Sequence, residues 1–482
     1  MPETPAWYTP FDEISRVHDT LVSTFDSGRT LPLAFRRQQL LQLARLFQQN
    51  IQEIRDALSA DLGRNPVEVA IGDTAPVIAS AIRAADSLEA WAAPEKPTVE
   101  AWRAGWDTTV YPVPKGAVLI ISPWNYPVPL TFLPFIGAVA AGCTVAIKLP
   151  EHSPAVSQLF ASLIPRYLDP EAFAVINGGV EHATRVLDLK WAHILFTGSG
   201  RVGRLVAAAA AKHLTPTTLE LGGKSPVFID AGNTDLKIAA KRILWGKQLN
   251  CGQTCVAPDY VLIRREYQED FITALKEAYL EMWPGKDGAL SEDTNLGFLP
   301  TTTHFARVLD LLDRTHGRVV VGGQHLKSER RVEPTVLADV ALDDGLMDEE
   351  LFCPLLPIVP VENGLEDAIK IIRERPIPLA LYVFTDSEDT KTQFLTRTQS
   401  GSFVLNDTFT QLVVHEIPFG GQGDSGYGAY QGKRSFDTFT HFRGFINVPP
   451  AAEPFMGGRY PPYSETERDD AFKEEMIPIP EM

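Results

Sequence analysis

Cysteine is scarce, with four residues in a chain of 482. A disulfide framework needs a denser, paired set, so a reducing compartment is expected rather than secretion. Positive charge is in deficit: 44 Lys and Arg face 61 Asp and Glu, for a formal net charge of −17. An acidic surface of that kind disfavours nucleic acid or an anionic membrane as the default partner. The opening stretch MPETPAWYTPFDEISRVHD has neither a basic segment nor an apolar core, so no secretory signal is expected and the setting is read as cytoplasmic. The closing AFKEEMIPIPEM lacks an apolar run of anchor length, so no transmembrane anchor is expected, and peripheral membrane contact is left open. No internal repeat is present.

What is present is ordinary globular composition, 44% apolar and 22% charged, over a length that allows two or three domains. Residues 117–147 carry no charge and are long enough to span a bilayer. Pro123, Pro127, Pro129 and Pro134 argue against one continuous helix there. The stretch reads instead as strand 117–121, loop 122–129, a short helix near 130–141 and strand 144–148, buried on both faces.

Residues 33–60 and 67–91 read as two long amphipathic helices, with Leu40, Leu43, Phe47, Ile51, Ile54 and Leu58 at three- and four-residue spacing. Residues 98–113 read as a hairpin, being β-branched and aromatic around a Gly. Strands at 117–121, 144–148, 173–178, 192–197 and 225–230 then alternate with helices. A second alternating set follows at 259–264, 318–321, 355–360, 381–385 and 402–405, with helices near 266–282, 304–315, 365–374 and 388–396. Such alternation predicts an α/β protein with two Rossmann-like doubly wound domains. Residues 446–482, rich in Pro, Glu and Asp, read as an extended or disordered tail.

AHILFTGSGRVGRLVAAAAAKH places Gly198, Gly200 and Gly203 between a strand and an Ala-rich helix. Glycines there let a backbone approach a phosphate, and a helix start favours an anion. The same pattern also serves as a plain tight turn. Glu220, 17 residues past Gly203, is the acid that this motif would assign to a ribose. LNCGQTCVAPDY sets Cys251 and Cys255 four apart. By themselves these two are a metal clip, a redox pair, core residues, or one nucleophile with a neighbour. No His or Cys set of matched spacing lies nearby, so no metal is expected.

Seven stretches taken together resemble the aldehyde dehydrogenase family, in that family's order: ISPWNYP, IKLPEHSP, FTGSGRVG, LELGGKSP, GQTCVAPDY, EELFCP and PFGGQGDSGYGAYQGKRSFDTFTH. The resemblance covers about residues 15–445, and GQTCVAPDY with the GYGAYQGKRSFDTFTH ending is similar to the class 3 branch of fatty and aromatic aldehyde dehydrogenases.

The resemblance implies oxidation of an aldehyde with NAD, and possible use of NADP, in a homodimer. Thiolate attack makes a tetrahedral oxyanion, loss of hydride leaves a thioester, and a base-assisted water releases the acid. It implies Cys255 as the thiol, and Asn125 with the Cys255 N–H as the oxyanion donors. It makes Glu220 the general base instead of a ribose ligand. The ribose passes to Lys148 and Glu151, the pyrophosphate to Ser199 and the loop from Gly198 through Gly200 to Gly203. The nicotinamide side passes to Glu350 and Phe352, with Trp124 beside them. Each residue also has an ordinary use: Asn125 as a turn cap, Glu220 as a solvated charge, Lys148 as a strand end, Trp124 as core. Cys143 and Cys353 read as buried core residues, and Cys251 as a neighbour open to an inactivating disulfide on oxidation.

The resemblance divides the chain into a cofactor domain (1–97 and 114–220), a catalytic domain (221–409), and a small β element for oligomerisation (98–113 and 410–445). "KLPE" keeps the Lys and Glu of the commoner "KPSE" spelling. Competing readings are a coenzyme A-acylating relative, which generally lacks the base at Glu220, a catalytically silent protein on the same fold, and a redox or zinc module on Cys251 and Cys255.

Overall fold

A computed structural model describes residues 5–286, 288–291, 294–456 and 458–481. The chain divides into two compact units, Met1–Trp91 with Pro114–Thr440, and Ala92–Val113 with His441–Met482.

The first unit holds two sheets. The six-stranded one runs Gly426–Tyr427, Thr217–Glu220, His193–Thr197, Ala117–Ile121, Thr144–Lys148, Phe173–Ile176. All neighbours are parallel except the first pair. Ala117–Ile121, Thr144–Lys148 and His193–Thr197 are buried at every position, which is why they read as apolar runs. The charge-free segment supplies two of them, joined by the helix Pro129–Ala141 with Pro134 inside it. Among the described residues no helix is long and apolar enough to cross a membrane.

The seven-stranded sheet runs Ser402–Leu405, Ala380–Phe384, Pro226–Ile229, Tyr260–Arg264, Leu355–Val361, Thr335–Ala338, Arg318–Val321, parallel except at Arg318–Val321. Pro226–Ile229 therefore belongs here and not with the first set of strands, where the order along the chain had placed it. Thr217–Glu220 and Thr335–Ala338 were not anticipated. Thr217–Glu220 has one apolar residue, Leu219, and so does not read as an apolar run.

Neither long helix is continuous. The first breaks at Asn50 into Leu33–Gln49 and Ile51–Leu62. There the Asn50 side chain donates to the Leu46 carbonyl at 2.7 Å and to the Tyr167 hydroxyl at 3.0 Å, in competition with the helical pattern. The second is Pro66–Val69, a π-helical turn Ala70–Thr74, then Ala75–Ala92.

In the second unit the expected hairpin at 98–113 is replaced by a 3₁₀ turn, Ala101–Trp106, followed by the strand Thr109–Pro114. Trp102 and Trp106 meet edge to face at 5.1 Å, a contact that folds the stretch on itself. The strand's sheet partner is Thr440–Phe445. The tail is not wholly extended either: it has a 3₁₀ turn, Pro450–Phe455, and a helix, Glu465–Glu474. A capping box between Ser464 and Glu467 starts that helix. The SETE spelling carried this signal, outweighed by the composition around it.

Candidate active site

In the six-stranded sheet the first strand in sequence, Ala117–Ile121, is central, and the chain order reverses between it and His193–Thr197. Ligands of doubly wound sheets bind beyond the carboxyl ends of the strands at such a point. Trp124 and Asn125 follow Ala117–Ile121, Lys148 ends the next strand, Gly198 to Gly203 follow His193–Thr197, and Glu220 ends the strand beyond. The loops are tied together: Ser122 N–H donates to the Lys148 carbonyl at 3.0 Å, Ser153 Oγ to the Trp124 carbonyl at 2.8 Å, and Gly198 N–H to the Glu220 carbonyl at 3.0 Å.

Ser199 caps the helix Gly200–Ala211, its hydroxyl accepting from Val202 N–H at 3.4 Å. A Cβ on Gly203 would lie 2.7 Å from Leu221 Cδ2, so this glycine lets helix and strand close up. A Cβ on Gly200 would meet only the tip of Arg204, at 3.3 Å, which leaves the helix start approachable. Lys148 is buried, and its Nζ donates to the Leu149 carbonyl at 2.8 Å and to Glu151 Oε2 at 3.1 Å. Burial lowers the Lys148 pKa. Burial alone would raise Glu151, but Lys148, the residue's own backbone N–H and His152 together outweigh it, and the carboxyl sits below its ordinary range. An open helix N-terminus flanked by a Lys–Glu pair suits the phosphates and ribose of a dinucleotide. Thr197 Oγ1, buried without a partner on the strand leading into the loop, is consistent with that fit.

Cys255 is half-buried at the end of a tightly wound loop. Asn250, Cys251 and Gly252 all have positive φ, at 49°, 55° and 71°. A Cβ on Gly252 would lie 2.3 Å from the Cys353 carbonyl, so only glycine fits this approach. Asn125 Nδ2 donates to the Gln253 carbonyl at 2.9 Å, and Asn250 Nδ2 donates back to the Asn125 carbonyl at 2.9 Å. These two bonds join the Asn125 loop to the Cys255 loop. On the other side, the Tyr382 hydroxyl donates to the Val256 carbonyl at 2.6 Å and accepts from Gln411 Nε2 at 3.1 Å.

The electrostatics are anionic. Burial raises the Cys255 thiol pKa, and Glu350 and Glu220 raise it further, against backbone N–H groups of Cys255 and Val256 that lower it. Glu220 is 2% exposed, neither carboxyl oxygen has a partner, and burial raises its pKa well above the ordinary value. Burial takes Glu350 up to about 8, with Asp259 adding to the effect and the Gly223 N–H opposing it. The Glu350 carboxyl lies where a side chain on Gly222 would be: a Cβ there would come 2.1 Å from Oε2. Phe352, at φ 50°, meets Trp124 edge to face at 5.6 Å. Cys255 thus feels the charge of both Glu350 and Glu220, and Asn125 is bonded into the same loop.

The groups that hold this arrangement carry no local sequence signal. Lys224 Nζ donates to Asp259 Oδ1 at 2.6 Å and to the carbonyls of Leu346 and Glu349 at 2.8 and 2.9 Å. Asp259 Oδ2 accepts from Leu351 N–H at 3.0 Å, and Arg307 donates to the carbonyls of Glu350 and Leu351 at 2.9 and 2.7 Å. Lys224 and Asp259 stood inside quoted motifs, but nothing local marks a Lys 35 residues from an Asp as its partner. All four cysteines are free thiols. Cys143, Cys251 and Cys353 are buried, and Cys143 is pushed up to about 11, chiefly by burial. Among the described residues no group of three or more His, Cys, Asp or Glu is placed to hold a metal.

Two doubly wound sheets, with a glycine turn and a capped helix at the switch point of one, define a dinucleotide-dependent oxidoreductase. The chain belongs to the aldehyde dehydrogenase family, whose model matches residues 12–444, and it is an NAD(P)-dependent aldehyde dehydrogenase. It is 43% identical to aldehyde dehydrogenase family 3 member B1 of Homo sapiens, over 92% of this chain and 93% of that protein. It is 41% identical to the dimeric NADP-preferring aldehyde dehydrogenase of Rattus norvegicus, over 93% and 98%. Among solved structures, the substrate-bound state of Staphylococcus aureus AldH superposes with a TM-score of 0.91 at 36% identity, covering 95% of this chain and 99% of that one.

Proposed function

We propose that the chain oxidises apolar aldehydes, medium- or long-chain aliphatic or aromatic, to carboxylic acids through a thioester on Cys255. The observation that carries this reading is a half-buried thiol, Cys255, that feels the charge of Glu220, a buried carboxyl without hydrogen-bond partners, on a loop bonded to the Asn125 amide. The Cys255 thiolate attacks the carbonyl carbon, forming the C–S bond and an oxyanion. Asn125 Nδ2 has two hydrogens and gives one to Gln253, which leaves the other, with the Cys255 N–H, for that oxygen. Bound oxidised dinucleotide supplies an electron-pair acceptor. Lys148 and Glu151 would hold its ribose, the Ser199–Gly200 helix start its pyrophosphate, and Glu350 and Phe352 its nicotinamide end. Glu220 takes the proton of the water that hydrolyses the thioester. No protein group occupies its oxygens, so both can accept from that water.

The Glu151 charge disfavours a 2′-phosphate, and we read NAD as preferred over NADP. Because Glu151 is already paired with Lys148, the preference is modest. A coenzyme A-acylating enzyme would have no use for a base at Glu220. We further propose a cytoplasmic homodimer, with 98–113 and 410–445 as contact elements. On this reading the cofactor domain is 1–97 with 114–220, and the catalytic domain is 221–409.

The test is aldehyde-dependent reduction of NAD and NADP by wild type and Cys255→Ser over a panel of chain lengths and aromatic aldehydes. We expect the variant to bind NAD normally and to turn over none of the aldehydes, since a hydroxyl does not ionise at this position. Substantial oxidation by Cys255→Ser would refute the assignment.

A further inference from the structure

The π-helical turn Ala70–Thr74 aims Asp73 into the interior, where it meets Arg64. Arg64 Nη2 donates to Asp73 Oδ2 at 2.8 Å, and Arg64 Nε lies 3.4 Å from Glu68 Oε2. Arg64 is 3% exposed and Asp73 0%. The guanidinium lies over the ring of Tyr126, 4.4 Å from its centre, and Thr254 Oγ1 donates to the Tyr126 hydroxyl at 3.4 Å. The Asn250 backbone N–H faces the Glu68 carboxyl, whose pKa burial raises while Arg64 and that N–H lower it. This trio is therefore in contact with Tyr126, the residue after Asn125, and with Asn250, whose side chain holds the Asn125 carbonyl.

Its energetics do not suit a stabilising device. A buried ion cluster breaks even at best against apolar residues of similar volume. This one leaves Asp73 Oδ1, Arg64 Nε and Arg64 Nη1 without hydrogen-bond partners. What it does supply is a carboxylate facing the backbone of a loop held at positive φ. Asn250 and Cys251 are not glycines, so their conformation is strained and persists only where the surroundings impose it. A π turn inside a helix is itself costly and recurs where a side chain must be aimed.

We infer that Arg64, Glu68 and Asp73 are positioning residues for the oxidation, holding Asn250 so that the Asn125 amide and the Cys255 N–H converge on one oxygen. The inference rests on the reading of Asn125 and Cys255 given above. Glu68 faces the Asn250 N–H of the strained loop, Arg64 pairs with Glu68 and covers Tyr126, and Asp73 fixes Arg64. The dinucleotide residues Lys148, Glu151 and Ser199 lie outside this chain of contacts, so cofactor binding is untouched.

The experiment uses the full-length enzyme and compares Glu68→Leu, Glu68→Gln, Asp73→Asn and Cys255→Ser by kcat, by KM for aldehyde and for dinucleotide, and by Tm. Misplacing an oxyanion donor without removing it lowers kcat of Glu68→Leu by about tenfold, with the KM for dinucleotide unchanged. Glu68→Gln, whose amide oxygen can still face the Asn250 N–H, recovers most of that kcat even if its Tm is lowered. Glu68→Leu with wild-type kcat overturns the inference, as does Glu68→Gln as slow as Glu68→Leu. If Glu68→Leu does not fold, Asp73→Asn decides: a fall in kcat of about threefold or more supports the role, and an unchanged kcat overturns it. Cys255→Ser separates the two levels. Activity in that variant removes the site reading itself, whereas an inactive Cys255→Ser beside a fully active Glu68→Leu removes only the role of the trio.

Discussion

Glu220→Gln is the substitution in which geometry and chemistry make opposite demands. The side chain is buried, both its oxygens lack partners, and burial raises its pKa well above the usual value. An unpartnered buried polar group costs about 1–3 kcal/mol of stability, and more when charged. Glutamine has the same size and cannot ionise. The consequence for stability has a definite sign. The folded-state pKa is raised, so ionisation is harder in the folded chain, and wild type loses stability as pH rises from near the ordinary value of 4.5 until the folded pKa is passed. The variant has no such loss at this position. Its Tm should match wild type near pH 4.5 and exceed it by a growing margin toward pH 8. Glu350 titrates with the same sign but is common to both proteins, so it cancels from the difference.

Turnover should move the other way. Thioester hydrolysis at neutral pH loses its base, worth about 10²–10⁴-fold. The burst should survive, because Glu220 raises the Cys255 pKa when charged and its removal eases thiol ionisation. Stopped-flow absorbance should thus record about one equivalent of reduced dinucleotide per site, then a slow phase that hydroxylamine accelerates. Undiminished steady-state turnover with no trapped thioester would refute the base assignment and turn attention to Glu350. Normal NAD binding with no burst would mean that Glu220 acts mainly on the thiol.

Three further outcomes are expected. Cys251→Ser should keep most activity, since this residue is 2% exposed and feels the charges of Glu68, Arg331 and Arg64, and an inactive variant in steady-state assays would revive a paired-cysteine role. Glu151→Gln should narrow the ratio of kcat/KM for NAD to that for NADP by removing the charge beside Lys148, and an unchanged ratio would show that the 2′-phosphate does not reach this carboxyl. Light scattering at micromolar concentration should give a dimer, and a monomer or tetramer would count against the contact elements proposed.

Much of this protein was legible from its sequence. Strands buried on both faces write themselves as apolar runs, so Ala117–Ile121, Thr144–Lys148 and His193–Thr197 could be read almost to the residue. The glycine turn and its capped helix are local chemistry, set by neighbours one to four residues away. The resemblance motifs pointed to Cys255, Glu220 and Asn125. What sequence could not carry were relations between distant residues. Thr217–Glu220, with Leu219 its one apolar residue, gives no apolar run to detect, and it forms by pairing along His193–Thr197. The break at Asn50 depends on a hydroxyl 117 residues away. The assignment of Pro226–Ile229 to the second sheet depends on pairing with Tyr260–Arg264 and Ala380–Phe384, which outweighs position along the chain. Likewise Lys224 with Asp259, and Arg64 with Asp73 and Glu68, are ordinary surface-type residues by composition. Only the tertiary structure takes them out of water, and only there does an unpaired charge become costly enough to make each depend on its partner.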